Sequence, residues 1–210
     1  MVNSKQMVVC FDLGGVLARI RRSWQACASA VGVPIGLPPD ETHDLPSFHL
    51  FDQFQNGALD SKEYLAELAK HLSVTTPQAL SVHNAILDSP YPGTPTLVRE
   101  LAEAGHKTAC LSNTNSLHWS IMNSPAFAAI AGLDFKMVSH EVRLSKPDQK
   151  IFALFDEHVG VSPSQVIYFD DSNENVVIAN KHGWHAILVD HEGNTAAQMR
   201  AALKEKKLLT

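Results

Sequence analysis

Four short apolar runs, each continuous rather than alternating, limit most strongly how this chain can fold. They are Met7–Phe11, Thr108–Leu111, Phe135–Val138 and Val166–Phe169, and a fifth, Ala186–Val189, follows. A strand with one wet face alternates apolar and polar residues, whereas a strand covered on both faces is apolar throughout. Helical patterns separate the later runs. Pro95–Ala104 carries Leu97, Val98 and Leu101 on one face and stops at Gly105; Gln149–His158 carries Ile151, Phe152, Leu154 and Phe155 and stops before Gly160. Asn173–His182, with Val176, Val177 and Ile178, precedes Gly183. Strand alternating with helix predicts an α/β fold with a doubly wound parallel, Rossmann-like sheet.

Between Arg19 and Pro90 the alternation breaks and the pattern is helical only. Helices are expected over Ser23–Val31, Phe48–Gln55, Ser61–Leu72 and Pro77–Leu87. Asp60 and Glu63 have the spacing of a capping box, and Thr76 ahead of Pro77 reads as an N-cap with proline at the first helical position. Pro34–Pro46 reads as a surface loop, and Phe48, Phe51 and Phe54 as an apolar stripe packed inside the helical segment. The expected division is a catalytic core of residues 1–18 and 91–210, interrupted by an inserted helical cap domain, 19–90.

Bulk properties remove several classes of partner. A net charge of -5 over 210 residues supplies no basic field for nucleic acid or anionic lipid, so neither is expected to bind. The three cysteines, Cys10, Cys27 and Cys110, lack metal-type spacing and leave one unpaired in any disulfide scheme, as in a reducing compartment. Met1–Gln6 is polar, and the apolar run after it ends at Asp12, too soon for a signal peptide or a membrane span. The expected location is cytoplasmic. The eleven histidines are scattered and form no His-Glu-x-x-His, so most read as surface or hydrogen-bonded residues.

In open parallel sheets ligands bind beyond the carboxyl ends of the strands. Phe11 is followed by Asp12, Leu111 by Ser112 and Asn113, and Phe169 by Asp170 and Asp171; the Phe135–Val138 run leads to Lys146-Pro147-Asp148 and a helix. Chemistry has a use for each. A carboxylate such as Asp12 can attack phosphorus and form an aspartyl-phosphate. Bringing two anions together calls for a hard divalent cation, which Asp12, the Gly14 carbonyl and Asp171 could hold. The Ser112 hydroxyl and the Asn113 backbone or side-chain N–H can bind the other phosphoryl oxygens, Lys146 adds positive charge before a helix N-terminus, and Asn175 could orient Lys146 or the metal-bound water.

Taken in order, these segments resemble the haloacid dehalogenase-like hydrolases over nearly the whole chain. Phe11-Asp12-Leu13-Gly14-Gly15-Val16-Leu17 is similar to the first motif of that family, and Leu111-Ser112-Asn113 to the second. Ser145-Lys146-Pro147-Asp148 is similar to the third, and Phe169-Asp170-Asp171-Ser172-Asn173-Glu174-Asn175 to the fourth. The resemblance implies a magnesium-dependent (Mg2+) phosphatase acting on a small phosphorylated substrate, with Asp12 as nucleophile and Asp171 as metal ligand. It also implies that Asp170 stands behind the ligand shell and that the helical insert is the family's cap. The string Ser112-Asn113-Thr114-Asn115-Ser116-Leu117-His118 resembles the bacterial branch that includes glucose-1-phosphate phosphatases, which points to a sugar phosphate.

Two positions depart from the family pattern. Gly14 stands where most members have the aspartate that protonates the leaving oxygen, help worth about 10²–10⁴-fold. Arg143 stands where related sequences often have glycine. His118 is a candidate substitute acid but reads better as a residue on a helix surface. Two other functions remain: a 2-haloacid dehalogenase, for which the paired Asp170 and Asp171 have no use, and a catalytically weak phosphometabolite-binding protein, for which Gly14 is the argument.

Overall fold

The computed structural model describes residues 7–38 and 44–209. The expectations for Met1–Gln6, and for residues 39–43 of the Pro34–Pro46 loop, lie outside them. Among the described residues the strands are β1 (Val8–Phe11), β2 (Ala18–Ile20), β3 (Leu87–Pro90), β4 (Lys107–Ser112), β5 (Phe135–Val138), β6 (Val166–Asp170) and β7 (His185–Leu188).

Five of them form one parallel sheet in the order β5-β4-β1-β6-β7. Successive side chains of β1 and β6 go to opposite faces, and both faces are covered. Val9, Phe11, Ile167 and Phe169 pack with Leu97, Leu101, Met199 and Leu203 on one side. Val8, Cys10, Val166 and Tyr168 pack with Ile151, Phe152, Phe155 and Trp184 on the other. This is why the strands read as unbroken apolar runs. The order reverses at β1, with β4 on one side and β6 on the other. The crevice beyond the end of β1 is therefore the switch point of the sheet, and Asp12 is the first residue there.

The stretch between β2 and β3 has a core of its own, in which Trp24, Phe48, Phe51, Phe54, Tyr64, Leu68 and Val82 are buried together. The phenylalanine stripe thus lies inside it, and Phe54 stacks on Tyr64 with ring centroids 4.1 Å apart. Its helices are Trp24–Val31, Phe51–Gln55, Ser61–Leu72 and Thr76–Asn84. Asp60 caps the third, accepting from the Lys62 and Glu63 N–H groups.

Boundaries in the later part of this stretch differ from expectation. Leu45–Ser47, with Pro46 in its first turn, forms a short 3-10 turn and Phe48 then takes extended backbone, so the next helix starts at Phe51 and not Phe48. Thr75 rather than Thr76 is the N-cap of the fourth helix, in a reciprocal capping box with Gln78. That helix ends at Asn84 because Leu87 already belongs to β3.

β2 and β3, absent from the sequence reading, form a two-stranded antiparallel ladder with Ala18 opposite Pro90 and Ile20 opposite Leu87. Both crossings between the sheet and the helical stretch run through this ladder. The helices outside the expected set include Ser116–Met122, capped by Asn115, and Thr195–Glu205, capped by Asn194.

Candidate active site

Asp12 follows β1, Ser112 ends β4 and Asp170 ends β6, so neighbouring strands deliver all three to one place. The loop after β5 brings Lys146 between the two acids. Its ammonium lies 3.0 Å from Asp12 Oδ1 and 2.8 Å from Asp170 Oδ2, and it donates to the Tyr168 hydroxyl at 2.7 Å. The Lys146 side chain is 1% exposed and that of Asp170 0%, so these charges are stable only because they face one another. Burial alone would lower the Lys146 pKa, but Asp12 and Asp170 outweigh it and hold the ammonium well above its ordinary value. Burial pushes the Asp12 carboxyl up to about 6; Lys146 opposes the rise, Asp170 and Asp171 add to it, and a hydrogen bond from Ser112 opposes it again.

The two acids of the fourth motif have different surroundings. Asp170 is saturated. Besides Lys146, it accepts from the Tyr168 hydroxyl, from the Ser172 N–H at 2.8 Å and from Asn175 Nδ2 at 3.0 and 3.2 Å. Asp171 instead pairs with Arg22, whose guanidinium lies 2.5 Å from Oδ2 and whose side chain is 47% exposed. Asp12, Asp170 and Asp171 each offer an oxygen, and the three oxygens lie within 4.8 Å of one another. A donor set made of carboxylate oxygens suits a hard divalent cation, and with Asp170 already saturated the two oxygens free to turn toward one belong to Asp12 and Asp171. Gly15 makes this geometry possible. Its φ is +81°, and a Cβ there would stand 2.2 Å from Asp171 Oδ2.

Asn113 has a task that sequence reasoning missed. Its side chain clips the backbone of Lys146, donating from Nδ2 to the carbonyl at 2.8 Å and accepting the Lys146 N–H at 2.9 Å. That engages the side chain, so the group of Asn113 left to hold a phosphoryl oxygen is its backbone N–H. The Lys146–Pro147 peptide is cis. Arg143 also finds an explanation. It closes the short helix Ser139–Val142 with φ 56°, in the left-handed region that favours glycine.

A cavity of about 210 Å³ opens beside these groups, reaching Gly14, Ser112 and Asn113 at the sheet and Arg22 at the rim. Ile20, Leu45, Phe51, Ile86, Leu87 and Met122 supply most of its wall. His118 lines it too, which corrects the expectation of a histidine on a helix surface: the residue is 4% exposed. Asn115 turns it inward. His118 Nε2 donates to the His83 carbonyl at 2.9 Å, leaving Nδ1 to accept from Asn115 Nδ2 at 3.2 Å. The His83 ring stacks on it at 4.1 Å, with Nε2 toward Asn115 Oδ1 and Nδ1 toward the Tyr64 hydroxyl. Burial lowers the His118 pKa to about 4, and burial followed by the nearby His118 lowers that of His83 well below its usual value. Both rings are neutral at ordinary pH, and both His118 nitrogens are engaged, so it cannot serve as the substitute acid.

Every residue expected at the site from sequence is therefore gathered around the ends of β1, β4 and β6. Arg22, Tyr168 and His118 join them. Tyr168 was read only as an apolar strand residue, and Arg22 carried no signal until the β2–β3 ladder placed it.

Comparison with known proteins identifies the family. The sequence profile of haloacid dehalogenase-like hydrolases matches residues 6–183, and the chain belongs to that family of hydrolases. It is 29% identical over 196 residues to phosphatase MT3486 of Mycobacterium tuberculosis (strain CDC 1551 / Oshkosh), covering 89% of this chain and 88% of that one. It is 24% identical over 119 residues to (S)-2-haloacid dehalogenase 4A of Burkholderia cepacia, 56% of this chain and 51% of the relative. Its fold is shared with a haloacid-dehalogenase-family enzyme of Bacteroides thetaiotaomicron crystallised with magnesium and inorganic phosphate. The TM-score is 0.75 at 21% identity, covering 93% of this chain and 100% of the other. Among the described residues no helix is long and apolar enough to cross a membrane.

Proposed function

We propose that this hydrolase is a magnesium-dependent phosphatase for a small phosphorylated metabolite, a class that includes the sugar phosphates, working through an aspartyl-phosphate on Asp12. The observation that carries the reading is the division among three neighbouring carboxylates. Asp170 is saturated and buried beneath Lys146, Asp12 is braced by that same lysine, and Asp171 is held by an exposed arginine. A dehalogenase needs Asp12 as nucleophile but has no evident use for the paired Asp170 and Asp171. The phosphatase name of the Mycobacterium relative and the magnesium and phosphate in the Bacteroides structure point the same way.

In this reading Asp12 attacks phosphorus while Lys146 keeps its carboxylate ionised and oriented. Ser112 and the Asn113 N–H hold phosphoryl oxygens, and Asp170 with Asn175 fixes Lys146. Magnesium, held by Asp12, Asp171 and the Gly14 carbonyl, would supply charge neutralisation between nucleophile and phosphate. The helical unit, 19–90, acts as a cap that roofs the cavity and excludes water.

The test is phosphate release from a panel of phosphorylated metabolites with magnesium or with EDTA, alongside halide release from 2-chloropropionate. Release of phosphate that needs magnesium, and its loss by at least about 10⁴-fold in Asp12→Asn with the melting curve retained, is expected. Halide release without magnesium, or turnover by purified Asp12→Asn, would overturn it.

A further inference from the structure

We infer, resting on the phosphatase reading, that the preferred substrate is the monophosphate of an acidic hydroxyl, a phenol or enol, on a compact and mainly apolar organic group.

The first ground is proton supply. Position 14 lies two residues past Asp12 and has no side chain. Its backbone is outside the left-handed region and would accept one, but Ile20 stands where it would go: a Cβ on Gly14 would meet Ile20 Cδ1 at 3.1 Å. An apolar contact has replaced a proton donor. Among the described residues lining the cavity, His118 is the single side chain whose ordinary titration falls near neutral pH, and both its nitrogens are engaged. Arg22 lines the rim but does not release its proton.

The second ground is the wall. Six apolar side chains enclose most of the roughly 210 Å³, and an apolar cavity of about 150 Å³ already accommodates a benzene ring. With Ser112 and Asn113 assigned to phosphate, Arg22 paired with Asp171 and both His118 nitrogens engaged, Gln55 and Thr114 supply the remaining polar atoms of the wall, too few partners for the hydroxyls of a hexose.

The reaction balances without a protein acid. An Asp12 oxygen bonds to phosphorus as the bond from phosphorus to the organic oxygen breaks. The electron pair leaves on that oxygen, which departs as phenolate or enolate and takes its proton from solvent. Water then bonds to phosphorus, the bond to Asp12 breaks with its pair returning to the carboxylate, and the proton of the water passes to solvent. One water is consumed, and inorganic phosphate and the free hydroxyl compound are formed. An alkoxide cannot leave this way without losing the help of a general acid, about 10²–10⁴-fold.

The experiment measures kcat/KM with magnesium for ring-substituted phenyl phosphates, for cyclohexyl phosphate (similar in size, alkyl in chemistry) and for hexose phosphates. A steep fall with leaving-group pKa is expected, with cyclohexyl phosphate at least about 10²-fold below phenyl phosphate and hexose phosphates below phenyl phosphate. Gly14→Asp combined with Ile20→Val, which opens room for the carboxyl, is expected to raise the cyclohexyl rate selectively; if that variant does not fold, the wild-type series decides alone. A gap smaller than 10²-fold, or a hexose phosphate preferred to phenyl phosphate, overturns the inference while phosphate release keeps the phosphatase reading. No phosphate from any compound overturns both.

Discussion

The sheet and the helical unit that interrupts it bury their apolar residues by different rules. In the sheet the inner strands β4, β1 and β6 are fixed by neighbours on both sides and by helices on both faces, so Val8–Phe11 and Val166–Asp170 are buried at every position. In the helical unit burial is decided by which stripe of a helix faces a small shared core. Tyr64, Leu65, Leu68, Ala69 and Leu72 are buried while the residues between them are wet or partly so. A strand slipped by one residue would turn every side chain to the wrong face, whereas a helix can lose or gain a residue at its end at little cost. The unit that carries the chemistry is thus the one whose register cannot drift, and the unit that shapes the cavity has the looser boundaries.

The comparison is sharpened most by the two acids at the end of β6, Asp170 and Asp171. Asp170→Ala removes one partner of a buried ion pair and strands Lys146, Tyr168 and Asn175, so a loss of about 3–5 kcal/mol is expected in a denaturant melt. Asp171→Ala should melt close to wild type and instead raise the magnesium concentration needed for turnover more than ten-fold, about 1.4 kcal/mol or more. The reverse ranking would mean that the roles of the two carboxylates are exchanged.

Next in size is Phe54→Ala, which empties a stacked position in the small core and should cost about 3–5 kcal/mol. If the helical unit is a separate cooperative body, amide exchange should quicken in helices Ser61–Leu72 and Thr76–Asn84 while amides in β1 and β6 stay protected. Uniform acceleration through both would show that the boundary at 19–90 divides nothing.

The seam between the two units should respond to acid. His118 has a pKa of about 4 in the fold against an ordinary 6.5, so between those values the unfolded chain binds a proton that the folded chain refuses. Stability is then greatest above pH 6.5 and declines as pH falls toward 4, by up to about 3 kcal/mol from this residue at about 1.4 kcal/mol per pH unit. His83 adds in the same direction. Melting temperatures across that window should fall more shallowly for His118→Gln, and an unchanged slope would mean that its ring is not held neutral.

The smallest effect concerns one cap. Thr75→Ala should cost about 1 kcal/mol and Thr76→Ala a few tenths, since Thr75 closes the capping box with Gln78. Equal costs would return the helix start to Thr76.

What was legible in the sequence follows from this contrast. The parallel strands, and every site residue that directly follows one, could be read because burial on both faces writes an unbroken run and the next residue must be polar for a reason. β2 and β3 could not. Three and four residues long, one of them containing Pro90, they pair across the whole helical unit and have no periodicity to show. Arg22 inherits that blindness, since only the ladder carries it to Asp171. The role of the Asn113 side chain was hidden because a clip on a backbone 33 residues away leaves no mark at either position. Thr195–Glu205 does leave a mark in the sequence: Ala196, Met199 and Leu203 lie on one helical face and are all buried.

The β2–β3 ladder has a consequence for engineering. Because the chain leaves the sheet and returns to it through paired strands, the two cut points of the helical unit are neighbours, about 4.8 Å apart across the ladder. A two-residue link would reconnect the sheet domain after excision, and a different accessory unit with closely spaced ends could be grafted in its place. Asp12, Ser112, Lys146 and the acids at the end of β6 all belong to the part that stays behind. In the proposed reading, the reactive apparatus and the chooser of substrates are separable parts, joined at a single socket.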